Sequence, residues 1–159
     1  MIKMTVKDYM TGNPTTIPSS TTFSQTAQLF YENHFDAFPV VDDQMRLLGI
    51  ISRTDLLKTF IPEYFDLIDD LSFIKDFGAL EIDEESAKMM EKLLLADDLM
   101  TTKIITVSED STLFKAITLM MKNRIRCLPV VRGDKLVGVI SRTDILKALL
   151  VKKKILEEQ

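Results

Sequence analysis

The stretch "GIISRTDLLK", Gly49 to Lys58, recurs as "GVISRTDILK", Gly138 to Lys147, with only apolar-for-apolar exchanges between the two. Working outward, residue n matches residue n+90 at Asp8/Asp98, Met10-Thr11/Met100-Thr101, Thr16/Thr106, Thr22/Thr112, Leu29/Leu119, Asn33/Asn123 and Pro39-Val40-Val41/Pro129-Val130-Val131. The offset then drops to 89, because "DDQMRLLG" is one residue longer than "RGDKLVG". A polar turn between two apolar runs is where a hairpin tolerates such a change. The chain is a duplication of a unit of about 55 residues.

Each copy reads as β-α-β-β-α. The β-branched runs "TTI" and "ITV" predict short extended segments. Thr22 and Thr112 are then N-caps of helices that carry Phe23, Ala27, Phe30 and Leu113, Ile117, Met120 at helical spacing. "FPVV" or "LPVV", a polar turn at Asp42-Asp43 or Gly133-Asp134, and "LLGIIS" or "LVGVIS" predict an antiparallel hairpin. Thr54-Asp55 and Thr143-Asp144 open a last helix.

Between the copies, Pro62 suits the first turn of a helix with Tyr64, Leu67, Ile68, Leu71 and Ile74 as its apolar stripe, ending near Gly78. A second helix capped at Asp83 carries Ala87, Met90 and Leu94. The expected fold class is α+β: two pseudo-twofold-related units packed sheet to sheet with a helical insert between them. The divisions are 1–58, an insert at 59–95, and 96–159 with a C-terminal helix. One unit alone has a small core and exposed apolar faces, which the second unit covers.

Of 159 residues, 46% are hydrophobic and 28% charged, the balance of a globular chain. No run of about 18 apolar residues and no signal-peptide pattern occurs, so the expectation is a cytoplasmic protein without a membrane partner. The single cysteine, Cys127, makes no internal disulfide. A net charge of −4 argues against a nucleic-acid partner, although 103–154 is locally rich in Lys and Arg. One histidine, His34, leaves no multi-histidine metal set and no spare member for a Ser-His-Asp arrangement. No clustered base, nucleophile or metal set points to an enzyme.

The informative junction is Ser52-Arg53-Thr54-Asp55 and its copy Ser141-Arg142-Thr143-Asp144. A hydroxyl three residues before a carboxylate is a helix cap in one reading. In the other it is a phosphate donor beside an acceptor for ribose hydroxyls, with Arg53 and Arg142 as charged forks for phosphate.

At these residues the chain resembles tandem cystathionine-β-synthase (CBS) domains, a Bateman module. "DYMTGNPTTI", helix, "FDAFPVV", turn, "LLGIISRTDLL" is repeated as "DLMTTKIITV", helix, "IRCLPVV", turn, "LVGVISRTDIL", over about 6–58 and 96–147. The resemblance implies a stand-alone regulatory module, not an enzyme, that senses AMP, ADP or ATP and signals to an unidentified target protein. S-adenosylmethionine, cyclic di-AMP, or a purely structural dimerisation role are the alternatives. It also implies a homodimer and no metal beyond nucleotide-bound Mg.

By that resemblance Asp55 and Asp144 hold ribose, with Ser52 and Ser141 as hydroxyl partners. Adenine lies against Phe35, Asp36 and Ala37 or Ile125, Arg126 and Cys127, with Thr15-Thr16 or Ile105-Thr106 adding contacts. Where the first copy has His34 and Asp36, the second has Arg124 and Arg126. Arginine pairs with phosphate and a carboxylate repels it, so the expectation is a phosphate-favouring site around Asp144 and Arg126. Arg124 reads more readily as a solvated side chain than as a ligand contact, and Cys127 as core or pocket wall.

Overall fold

A computed structural model describes residues 4–61 and 83–157. The first copy contains β1 (Thr11–Gly12), β2 (Ile17–Pro18), α1 (Phe23–Glu32), β3 (Ala37–Val41), β4 (Leu47–Ser52) and α2 (Arg53–Lys58). The insert contributes α3 (Glu84–Leu93). The second copy follows with α4 (Ala96–Leu99), β5 (Val107–Ser108), α5 (Leu113–Lys122), β6 (Cys127–Arg132), β7 (Lys135–Ser141) and α6 (Arg142–Glu157). The expected helix from Pro62 to Gly78 lies outside the described residues.

Local chemistry sets the boundaries. The Thr22 hydroxyl accepts from the Gln25 amide while the Gln25 side chain accepts from the Thr22 amide, so two otherwise unpaired donors at the start of α1 are satisfied. Thr112 and Asp83 cap α5 and α3 in the same position. The last helix of each copy starts one residue earlier than Thr54 and Thr143, at Arg53 and Arg142. The side chain at the cap is therefore serine, not threonine.

The hairpins pair antiparallel as expected, β3 with β4 and β6 with β7, and each sheet adds a two-residue strand in parallel, β2 on β3 and β5 on β6. The residue responsible for the change of offset sits in the first turn. There the Asp42 carboxylate accepts from the amides of Gln44 and Arg46, both at 2.9 Å, with Met45 at φ 62°. The shorter second turn instead places Gly133 at φ 66°, a conformation glycine adopts without steric cost. The two turns also bond to each other: Leu136 N–H donates to Met45 O at 2.9 Å and Leu47 N–H to Asp134 O at 3.3 Å.

The start of each copy packs on the other copy's sheet. β1 pairs with β7, Thr11 opposite Val139, and the equivalent Thr101 bridges Ile50 in β4. Val6 N–H donates to Ser111 O and Ala96 N–H to Thr21 O, both at 2.8 Å, the same bond made twice. Val6 is accordingly buried in the core of Val107, Ala116, Met120, Leu128, Val130 and Ile140. Ala96 is buried in the core of Ile17, Phe30, Phe38, Val40 and Ile51. Asp8 and Asp98, matched in sequence, each accept the backbone N–H three residues earlier, at Thr5 and Leu95, and so cap the exchanged turns.

Within the insert, α3 docks on the start of α1. Glu91 Oε2 accepts the Ser24 N–H at 3.0 Å. Bonds from the Ser24 and Thr22 side chains, together with that amide, hold the Glu91 carboxyl below the ordinary glutamate range. Met90 and Leu94 are half-buried, whereas Ala87 is exposed.

Candidate functional site

The repeated Ser-Arg-Thr-Asp string has a definite local role in both copies. Asp55 Oδ2 accepts from the Ser52 N–H and the Ser52 hydroxyl, both at 2.7 Å, and Ser52 Oγ accepts the Asp55 N–H at 3.3 Å. Asp144 and Ser141 repeat this at 2.8, 2.7 and 3.3 Å. These bonds use one carboxylate oxygen. Oδ1 of each aspartate makes no hydrogen bond among the described residues, so a capping aspartate keeps an acceptor for a ligand.

The arginines are more committed. Arg53 Nη2 donates to the carbonyls of Phe30 at 3.2 Å and Asn33 at 2.8 Å, tying β4's end to the close of α1. Arg142 Nη2 donates to Ile125 O at 3.1 Å at the matching place. Both guanidiniums thus hold loop carbonyls.

A cleft of about 440 Å³ opens between the copies, within the size range of small-molecule sites. Its first-copy wall is Asp36, Ala37, Ile50 and the run Ser52 to Asp55. Its second-copy wall is Thr101, Lys103, Ile104, Ile105, the run Arg124 to Cys127, and Pro129. The floor is apolar, and the rim carries the charges.

Of the residues singled out from sequence, Asp36, Ala37, Ser52, Arg53, Asp55, Ile105, Ile125, Arg126 and Cys127 come together here. Ser141, Arg142, Asp144, Thr15, Phe35 and Thr106 lie outside this lining. Phe35 sets its ring edge-on against Phe38 at 5.6 Å, and Thr16 borders a shallow depression beside α1. The sequence reading grouped site residues copy by copy, Arg126 with Asp144 and Asp36 with Asp55. The lining keeps Asp36 with Asp55, adds Arg126 to them, and does not include Asp144.

The reason is the pseudo-symmetry. Asp36 and Arg126 are equivalent positions, and Arg126 Nη1 lies 3.5 Å from Asp36 Oδ1. Equivalent residues can touch only where the two copies meet. The Ser52 to Asp55 edge of the first copy thus shares its cleft with Ile125, Arg126 and Cys127 of the second. Lys103, Thr101 and Ile104 went unread for the same reason, although the Thr11/Thr101 match and the Asn13/Lys103 difference were visible in the repeat.

Arg124, readable from sequence as merely solvated, lines the cleft in a left-handed conformation at φ 55°. Ile125 N–H reaches back to Met120 O at 3.0 Å and so closes α5 through that turn. Cys127 is a cleft-wall thiol whose pKa burial and the neighbouring Asp36 charge push up to about 11. It is protonated at neutral pH and is not an activated nucleophile. Among the described residues, no group of three or more His, Cys, Asp or Glu side chains converges to hold a metal ion. Also among them, no helix is long and apolar enough to cross a membrane.

Two sheets built from one repeated unit, with a shared cleft and exchanged starts, define a tandem-repeat module. The CBS domain model matches residues 6–61 and 96–151, and the chain belongs to the CBS domain family. A Methanocaldococcus jannaschii protein, MJ1426, is 30% identical over 157 residues, covering 92% of both chains. The chloroplastic CBS domain-containing protein CBSX1 of Arabidopsis thaliana is 31% identical, and the match covers 92% of this chain but 64% of that one. Among solved structures, CBSX2 in complex with AMP superposes with TM-score 0.71 at 28% identity, covering 94% of this chain and 98% of that one. A Vibrio cholerae protein named AcuB gives TM-score 0.75 at 26% identity, covering 99% and 98%.

Proposed function

We propose that the chain is a cytoplasmic, non-enzymatic sensor that binds an adenine nucleotide, AMP foremost, between its two CBS domains and signals occupancy to a partner protein. The observation that carries this reading is the Asp55 carboxylate, fixed by its cap with one oxygen unused, in the wall of a cleft bearing four basic residues. Ribose hydroxyls suit that oxygen, the base suits the isoleucine-rich floor, and phosphate suits Lys103, Arg124 and Arg126. The AMP complex of CBSX2 lends the ligand class further support.

Signalling requires that the ligand favour one arrangement of the two copies over another. The cleft walls come from different copies, so closing on a ligand moves one against the other. Homodimerisation belongs to the proposal on a separate observation. Phe114, Met121, Leu146, Leu149 and Leu150 are more than half exposed on α5 and α6, an apolar surface suited to a second copy.

Calorimetric titration with AMP, together with thermal unfolding at rising AMP concentration, tests the reading. A ligand that binds only the folded state raises the unfolding temperature in step with its concentration. Absence of both heat and shift with AMP, ADP and ATP sinks it.

A further inference from the structure

Resting on that reading, we infer that Lys103 and Arg124 make the Asp55 cleft selective for phosphorylated over neutral or cationic adenosyl ligands. Four basic side chains line the cleft, and their commitments differ. Arg53 turns Nη2 to the Phe30 and Asn33 carbonyls, as Arg142 does to Ile125 in the other half, and Arg126 is partnered by Asp36. Lys103 and Arg124 make no ion pair among the described residues, and both are exposed at the rim. Against them stand two carboxylates: Asp36, already paired, and Asp55, half used by its cap. Among the described residues, the positive charge free of both carboxylate and carbonyl partners is on the second-copy wall, at Lys103 and Arg124, and the free acceptor is Asp55 Oδ1 on the first-copy wall. A ligand matching both offers hydroxyl donors at one end and negative charge at the other.

The duplication supplies an internal control. At the positions equivalent to Lys103 and Arg124 the first copy has Asn13 and His34, while the Asp36–Arg126 pair is common to both halves. The unpaired cations therefore separate the two halves, and they favour the Asp55 side. This reverses the expectation drawn from Arg126 and Asp144 in sequence.

The test is calorimetric titration of the full chain with adenosine, AMP and S-adenosylmethionine at low and high salt, repeated on K103N/R124H, which installs the first copy's residues. The unmodified chain should bind AMP about tenfold or more tighter than adenosine, with S-adenosylmethionine weakest, and added salt should erode only the AMP advantage. In the double variant the ratio of AMP to adenosine affinity should shrink to about twofold.

Equal affinity for adenosine and AMP in the unmodified chain, a measurement needing no variant, overturns the charge assignment and leaves the adenosyl reading standing. A double variant that keeps its AMP preference overturns it as well. Failure of all three to bind overturns both.

Discussion

Asp36 and Arg126, equivalent residues of a duplicated sequence, face each other at 3.5 Å where the two copies meet, one acidic and one basic. The pair is well exposed, with side chains 44% and 72% accessible, so it adds under about 1 kcal/mol to stability. Its larger effect is on Arg126, which an incoming phosphate must share with Asp36. Asp36→Asn is expected to leave the unfolding midpoint nearly unchanged and to tighten AMP binding by about threefold to tenfold at low salt. Arg126→Ala is expected to weaken it. Titration calorimetry of both variants checks this, and weaker AMP binding by Asp36→Asn would contradict it.

The exchanged starts are held by close methionine-glycine packing. A Cβ at Gly49 would overlap Met100 Sδ, and its three nearest atoms all belong to that side chain. At Gly138 it would lie 2.6 Å from Met10 Sδ but also 2.8 Å from the Thr11 carbonyl oxygen. Gly49→Ala is expected to cost about 1–3 kcal/mol, part of it recovered in a Met100→Ala background, which removes Sδ and Cγ and leaves the Met100 Cβ at 2.9 Å. Gly138→Ala should be relieved far less by Met10→Ala, because backbone remains in the way. Urea unfolding of the two cycles distinguishes them.

Thr26 is fully buried in α1 and its hydroxyl has no hydrogen-bond partner among the described residues. The second copy has Ala116 there, equally buried. Thr26→Val keeps the shape and removes the unpaired group, and is expected to stabilise the chain by about 1 kcal/mol. A denaturant midpoint that stays put or falls would show that the hydroxyl is satisfied in solution.

Much of this was legible in the sequence because it is local. The caps at Thr22, Thr112 and Asp83, both hairpins and the displaced turn follow from residues within about five positions of each other. The exchange was not legible, since β1 is two residues long and its partner Val139 lies in the other copy. The Met10/Met100 and Asp8/Asp98 matches recorded it without saying which sheet they serve. The cleft was half legible for the same reason: grouping residues copy by copy keeps Asp36 with Asp55 but does not reveal that Arg126 shares their lining.

Cys127 gives a pH-dependent prediction. Burial and the Asp36 charge raise its pKa from 9.0 to about 11, so at pH 8 the folded chain holds about a hundredfold less thiolate than an unperturbed thiol. Iodoacetamide labelling should be slow and should keep accelerating through pH 10. Bound AMP should slow it further, and Asp36→Asn should speed it. Because the folded pKa lies above the unfolded one, the unfolded chain loses this proton first. The thiol's contribution to stability is therefore intact below pH 9 and declines between 9 and about 11. Labelling kinetics that level off near pH 9 would refute the shift.

The crossing of Val6 and Ala96 into opposite cores means that the gene has two repeats but the molecule has no half. A cut through the insert separates the copies along the chain and leaves each fragment with its neighbour's plug and a hole where its own belongs. The smallest piece that can close its cores is the pair. Once the copies had exchanged ends, Lys103 could drift from Asn13 and Arg124 from His34, yet neither copy could be lost without unmaking the other.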